Sequence, residues 1–179
     1  MTLDTAARAR LMRELATVCA IPVTPFHPDG EVDWDGYRQT VIAIAAGGVS
    51  VVTPNGNTGE FYALTREECD RAVAVTCEAV GDRTLVMPGV GYDVRTAIAL
   101  GEAARRAGAK AVMVHQPVHP YQSADGWVAY HAEIARAGLP LWQGDGRAQA
   151  GQLAFNPLDV ALDRLARRAL EVRPSGTAR

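Results

Sequence analysis

Lysine is nearly absent from this chain of 179 residues. Of its 18 basic residues, 17 are arginines, and Lys110 is the single lysine. Any chemistry that needs a side-chain amine therefore has one candidate. Cysteine is also scarce. Cys19, Cys69 and Cys77 are odd in number and lie in apolar or helical contexts, which excludes a disulfide framework and fits free thiols in a reducing cytoplasm. Net charge is small, −2, which removes the electrostatic basis for binding nucleic acid or an anionic membrane surface. No apolar run approaches the ~20 residues of a membrane span. Residues 1–13 lack the apolar core of an export signal, so a cytoplasmic location is expected.

What is present is a rhythm. Short apolar runs at Val18–Val23, Val49–Val52, Thr84–Met87, Ala111–Val114 and Leu139–Trp142 read as five strands. Between them lie helical patterns: one capped by Asp33, one opened by the capping box Thr65/Glu68, one over Val94–Ala107, and one capped by Asp125. Continuous apolar strands alternating with helices at roughly 30-residue intervals imply a parallel sheet covered on both faces. The 48% apolar fraction is ample for one core. From Trp142 onward the rhythm stops. Gln143–Gln152 is polar and glycine-rich with no strand pattern, and Asn156-Pro157 opens an amphipathic helix over 157–172. We therefore expect two parts, residues 1–141 and a tail, 142–179.

The second strand runs into Thr53-Pro54-Asn55-Gly56-Asn57-Thr58-Gly59-Glu60-Phe61. Ligands of parallel α/β sheets sit at the carboxyl ends of strands, where this loop lies. Gly56 and Gly59 would allow backbone N–H groups to approach an anion, with a carboxylate on Asn57 and Thr58 and the Thr58 hydroxyl available for proton relay. The same residues also fit a tight turn that satisfies only itself. Glu60 is expected to bond backbone N–H groups inside the loop.

His115 and His119 fall at the end of the fourth strand. No cysteine or carboxylate stands near them at ligand spacing, so no metal is implied. His27 reads as a turn residue and His131 as a helix residue. Tyr121 lies close to the same strand edge, as either a proton shuttle or a packed rim residue. Gly89-Val90-Gly91 is too short for a dinucleotide fingerprint, and neither a P-loop nor a nucleophile elbow occurs, so no cofactor is implied.

Gly56-Asn57-Thr58-Gly59-Glu60-Phe61 with Glu68, Val23-Thr24-Pro25-Phe26 with Gly30 and Asp33, Pro88-Gly89-Val90-Gly91, and Pro117 through Tyr121 together resemble the dihydrodipicolinate synthase / N-acetylneuraminate lyase family. The resemblance runs from about Val18 to Leu141. Asn57 departs from it, since the family usually carries Ser or Thr there. The Asn-Gly-Asn-Thr-Gly-Glu-Phe wording also resembles the 5-dehydro-4-deoxyglucarate dehydratase branch.

The resemblance implies a (β/α)8 barrel and a lyase of the class I aldolase type acting on pyruvate-like 2-keto acids. In that family a lysine amine forms a Schiff base with the substrate. The resemblance further implies that Gly56, Asn57, Thr58 and Gly59 hold the substrate carboxylate, with Thr58 and Tyr121 in the proton relay. Family members commonly self-associate. The family's lysine belongs to the sixth strand, and a whole barrel takes roughly 250 residues. The expectation is thus an incomplete barrel of four to five β/α units that keeps the carboxylate loop, lacks the catalytic lysine and is inactive by itself. Lys110 enters its strand from the amino end, the face opposite such a site. The alternative is a flavodoxin-like α/β binding domain holding a carboxylate or phosphate without catalysis.

Overall fold

The structure is a computed structural model, and it describes residues 17–118, 123–135, 141–144 and 155–156, together with Arg13 and Leu15. The chain runs β1 (Cys19–Ala20), α1 (Trp34–Ala46), β2 (Val51–Val52), α2 (Arg66–Val80), β3 (Leu85–Val86), β4 (Gly89–Val90), α3 (Val94–Ala107), β5 (Val112–Val114), α4 (Ala124–Ala135), β6 (Leu141–Gly144) and β7 (Phe155–Asn156). Single turns of 3-10 helix lie at Asn57–Gly59 and Gly81–Arg83.

Strands β1, β2 and β3 pair in parallel and in sequence order, as do β4, β5 and β6. β3 and β4 are one strand interrupted at Pro88. Proline cannot donate to the ladder, yet the ladder continues through it. Met87 N donates to Val52 O (3.0 Å) and Gly89 N donates to Pro54 O (2.8 Å) on one side. On the other, Pro88 O accepts from Met113 N (2.9 Å). The sequence reading stopped this strand at Pro88; its missing N–H costs one bond and leaves the pairing intact. Strictly sequential order is that of a barrel, whereas a flavodoxin-like sheet has the order 2-1-3-4-5. The architecture is an incomplete (β/α)8 barrel.

Alternation along the strands sorts the core into two layers. Val51, Leu85, Met87 and Ala111 pack together with Cys19, Met113 and Leu15 on one face of the sheet. On the other face Val90, Val112 and Val114 meet α2, α3 and α4 through Val73, Ala97, Leu100, Ala104 and Ile134, while Val86 meets Tyr37, Val41, Ala72 and Val80 of α1 and α2. Each fully buried large aliphatic side chain stabilises this arrangement by roughly 1.5–3 kcal/mol relative to exposure. Between α1 and α2, the Tyr37 hydroxyl shares a buried hydrogen bond with Thr76 Oγ1 (3.2 Å).

The helix starts follow from side-chain caps. Asp33 accepts from Gly36 N (2.9 Å), and Thr65 and Glu68 form the reciprocal capping box. α4 differs from expectation: Asp125 lies inside its first turn, and Ser123 accepts from Gly126 N (3.0 Å). Ser123 precedes the helix and can turn its hydroxyl onto the free N–H groups, which a residue already helical cannot do. β6 extends through Gln143 and Gly144 into the stretch read as patternless, and Phe155–Asn156 pairs antiparallel with it. Glycine and glutamine are weak strand formers, and their pairing with Phe155 and Asn156 overrides propensity. Asn156 is paired in that short strand; the expected helix over 157–172 lies outside the described residues, as does the leading helix apart from Arg13 and Leu15.

Candidate active site

The loop after β2 is held from three directions. Thr53 N donates to Ala20 O (2.8 Å), fixing the loop's entry against β1. Asn55 takes a left-handed conformation (φ 60°), is buried, and donates from Nδ2 to Cys69 O at the start of α2 (3.1 Å). The chain then makes one turn of 3-10 helix, Asn57–Gly59, and Glu60 closes it in the left-handed region with its N–H on Asn57 O (3.0 Å).

Gly56 and Gly59 are buried, whereas Asn57 and Thr58 are exposed. The glycines permit close approach to β1. A Cβ on Gly56 would stand 2.7 Å from Ile21 Cγ2, and one on Gly59 2.8 Å from Pro22 O. Thr24 adds a buried bond from Oγ1 to Gly59 O (2.8 Å). Sequence reasoning had included Thr24 in a motif without a role; its role is to clamp the loop. Gly59 N bonds back to Gly56 O, but the N–H groups of Asn57 and Thr58 open the turn and have no acceptor within it. Among the described residues, these two adjacent donors at the carboxyl edge of the sheet have no backbone acceptor, and they stand beside the Thr58 hydroxyl. Contrary to expectation, the Glu60 carboxylate takes no hydrogen bond from the loop's N–H groups among the described residues. It is exposed, and its contribution is the backbone turn.

An aromatic wall stands next to the loop. Phe61 is fully buried and stacks on the His115 imidazole (4.4 Å between centroids, 11° between planes). Tyr92, itself left-handed (φ 69°), packs on Phe61 at 4.8 Å and donates its hydroxyl to Phe61 O (3.1 Å). Tyr130 donates to Tyr92 O (3.2 Å). Burial pushes the Tyr62 and Tyr92 phenols up and that of Tyr130 to about 12, so all three stay protonated at neutral pH and act as donors rather than bases. An open cleft of about 640 Å³ is lined by Tyr62, Tyr92, Asp93, Pro117 and Val118.

His115 is buried, with Nε2 2.7 Å from Asn55 O, and burial lowers its pKa. His131 is buried on α4 against Trp127, and His27 is exposed. Among the described residues no three His, Cys, Asp or Glu side chains form a metal-binding group, and no helix is long and apolar enough to cross a membrane. Cys69 is buried, and burial pushes its thiol to about 12.

Of the expected site residues, Gly56, Asn57, Thr58 and Gly59 are brought together in one turn. Tyr121 and His119 lie outside the described residues. Lys110 is exposed at the amino end of β5, its N–H on Val86 O (3.1 Å). It precedes His115 by five positions, which places it roughly 16 Å along the strand from the loop's edge.

A sequential parallel barrel sheet with a glycine-bracketed loop at its carboxyl edge defines the class: part of a (β/α)8 protein. The chain belongs to the Dihydrodipicolinate synthetase family, whose match covers residues 14–148. It is 37% identical over 158 residues to a Streptomyces coelicolor protein named as a probable 5-dehydro-4-deoxyglucarate dehydratase, covering 87% of this chain and 48% of that one. It is 39% identical over 117 residues to the 4-hydroxy-tetrahydrodipicolinate synthase of Sorangium cellulosum, covering 64% of this chain and 39% of that one. Among solved structures, the dihydrodipicolinate synthase of Oceanobacillus iheyensis superposes with a TM-score of 0.78 at 37% identity, covering 89% of this chain and 51% of that one. That of Bacillus clausii gives 0.75 at 42% identity, covering 87% and 51%. The chain spans about half the length of these relatives. The likeness is to lyase-family barrels, and the flavodoxin-like alternative is not favoured.

Proposed function

We propose that this chain carries the carboxylate-binding half of a class I lyase site for pyruvate-like 2-keto acids. The observation that carries the reading is the pair of open N–H groups on Asn57 and Thr58, presented at the carboxyl edge while Gly56 and Gly59 are buried against β1. A carboxylate seated there gains two charge-assisted hydrogen bonds, each roughly twice as strong as a neutral one. Thr58 Oγ1 and Tyr121 are the proposed proton relay. The Schiff-base step needs an amine within bonding reach of the keto carbon, and Lys110 is at the opposite end of its strand. The chain by itself therefore binds the keto acid without forming the adduct. Residues 142–179 contribute nothing to the lyase site in this reading. The antiparallel pairing of β7 on β6 supports it, because a barrel would place a parallel neighbour there. The relatives named as a dehydratase and a synthase support a small-molecule substrate; self-association and a cytoplasmic setting belong to the same proposal and are carried from the sequence reading and the family resemblance. Titrating pyruvate while following the Asn57 and Thr58 amide resonances tests the proposal: saturable shifts at those two positions are expected, and their absence at millimolar pyruvate rejects it.

A further inference from the structure

Just past β5, His115 meets the carboxylate loop through a buried hydrogen bond whose surroundings are closely packed. His115 Nε2 lies 2.7 Å from Asn55 O. A carbonyl oxygen only accepts, so Nε2 must carry the proton, which fixes the tautomer. The imidazole is clamped flat on Phe61. Two glycines leave it room: a Cβ on Gly89 would fall onto Asn55 O and 2.5 Å from His115 Nε2, and one on Gly91 would stand 3.0 Å from His115 Cβ. On its other side Asn55 is tied to Cys69 O. Asn55 is left-handed and stands two residues before the Asn57–Thr58 donor pair, so rotation of its carbonyl plane would re-aim that pair.

We propose that His115 is a positioning residue of the keto-acid site, its imidazole holding the Asn55 carbonyl and thereby the orientation of the Asn57 and Thr58 N–H groups. The inference rests on the carboxylate-loop reading for its functional meaning, but the clamp itself can be observed without ligand. It assigns the histidine to the loop's geometry, acting through Asn55 and not on substrate.

The test uses the full chain and three measurements. In wild type, the nitrogen resonances of His115 must show the Nε2–H tautomer; the Nδ1–H tautomer overturns the proposal outright. His115→Phe keeps a ring on Phe61 and removes the donor, whereas His115→Gln keeps an N–H near the Nε2 position. The amides of Asn57 and Thr58 are expected to shift in His115→Phe and to return toward wild type in His115→Gln. Pyruvate affinity is expected to fall about ten- to a hundredfold in His115→Phe, with rescue to within a few fold in His115→Gln. A folded His115→Phe with unmoved loop amides, or with wild-type pyruvate affinity, overturns the proposal. Should wild type show the expected tautomer and loop shifts yet bind no pyruvate, the clamp stands and the carboxylate reading fails. Should His115→Phe not fold, the wild-type tautomer and the His115→Gln loop amides decide the matter.

Discussion

Adding one methyl group at Gly59 should damage this protein in a way that no side-chain adjustment repairs. A Cβ there would stand 2.8 Å from Pro22 O, a backbone atom of the segment that leads away from β1. Relief requires the loop and that segment to separate by about half an ångström, which also stretches the Thr24 Oγ1 bond to Gly59 O. Overpacking of this kind costs about 1–3 kcal/mol, against which alanine's smaller unfolded-state entropy returns about 0.4–1 kcal/mol. The net expectation is a loss of roughly 1–2 kcal/mol, or about 2–8 °C in Tm for a chain of this size. Gly56 is the internal control. The three atoms nearest its added Cβ would all belong to the Ile21 side chain, at 2.7–2.9 Å. Ile21→Ala removes those atoms, so Gly56→Ala should cost less in that background, by about 1 kcal/mol in a double-mutant cycle. The same background should do nothing for Gly59→Ala. Urea unfolding of the five variants and wild type reads all of this. A Gly59→Ala protein as stable as wild type, or one rescued by Ile21→Ala, would refute the packing account of the loop.

Thr65→Ala removes the hydroxyl half of the capping box, leaving the bond from the residue-65 backbone N–H to Glu68 Oε2, and should lower stability by about 1 kcal/mol in the same urea assay; Glu68→Ala should cost less because the Thr65 hydroxyl still reaches the N–H of residue 68. For pH, burial holds both His115 and His131 below the ordinary value of 6.5. The unfolded chain then binds more protons than the native state below about pH 6.5. Their contribution is complete above that value and drains away as the pH falls toward the lowered native pKa values. Urea midpoints should therefore drop between pH 7.5 and 5.5, and His115→Gln with His131→Gln should flatten that slope; an unchanged slope counts against the burial of these rings.

How much of this was visible in the residues can be argued element by element. The strands were legible because Val51 and Val52 are buried on both faces, and Val112 and Val114 are buried with Met113 half-buried between them, so each reads as a continuous apolar run. Asp33 and the Thr65/Glu68 box were legible because caps act over three or four residues of sequence. The glycine loop was legible as a loop, but the partners of its two glycines were not: Ile21 and Pro22 lie far away in sequence and meet them only through strand pairing. His115 shows the same limit. Its position at the end of the fourth strand was legible, whereas the stack on Phe61 and the contact with Asn55 come from tertiary packing. The continuation of the ladder past Pro88 was hidden because proline's missing donor faces β5 while the β2 side keeps all its bonds.

The central claim is that the loop binds a keto acid while the chain offers it no amine. Borohydride reduction in the presence of pyruvate, followed by peptide mass spectrometry, tests that directly. The account predicts loop amides that respond to pyruvate and an unmodified Lys110. A reduced pyruvyl adduct on Lys110 would contradict it, because that amine would then have reached a carboxylate site at the other end of its strand.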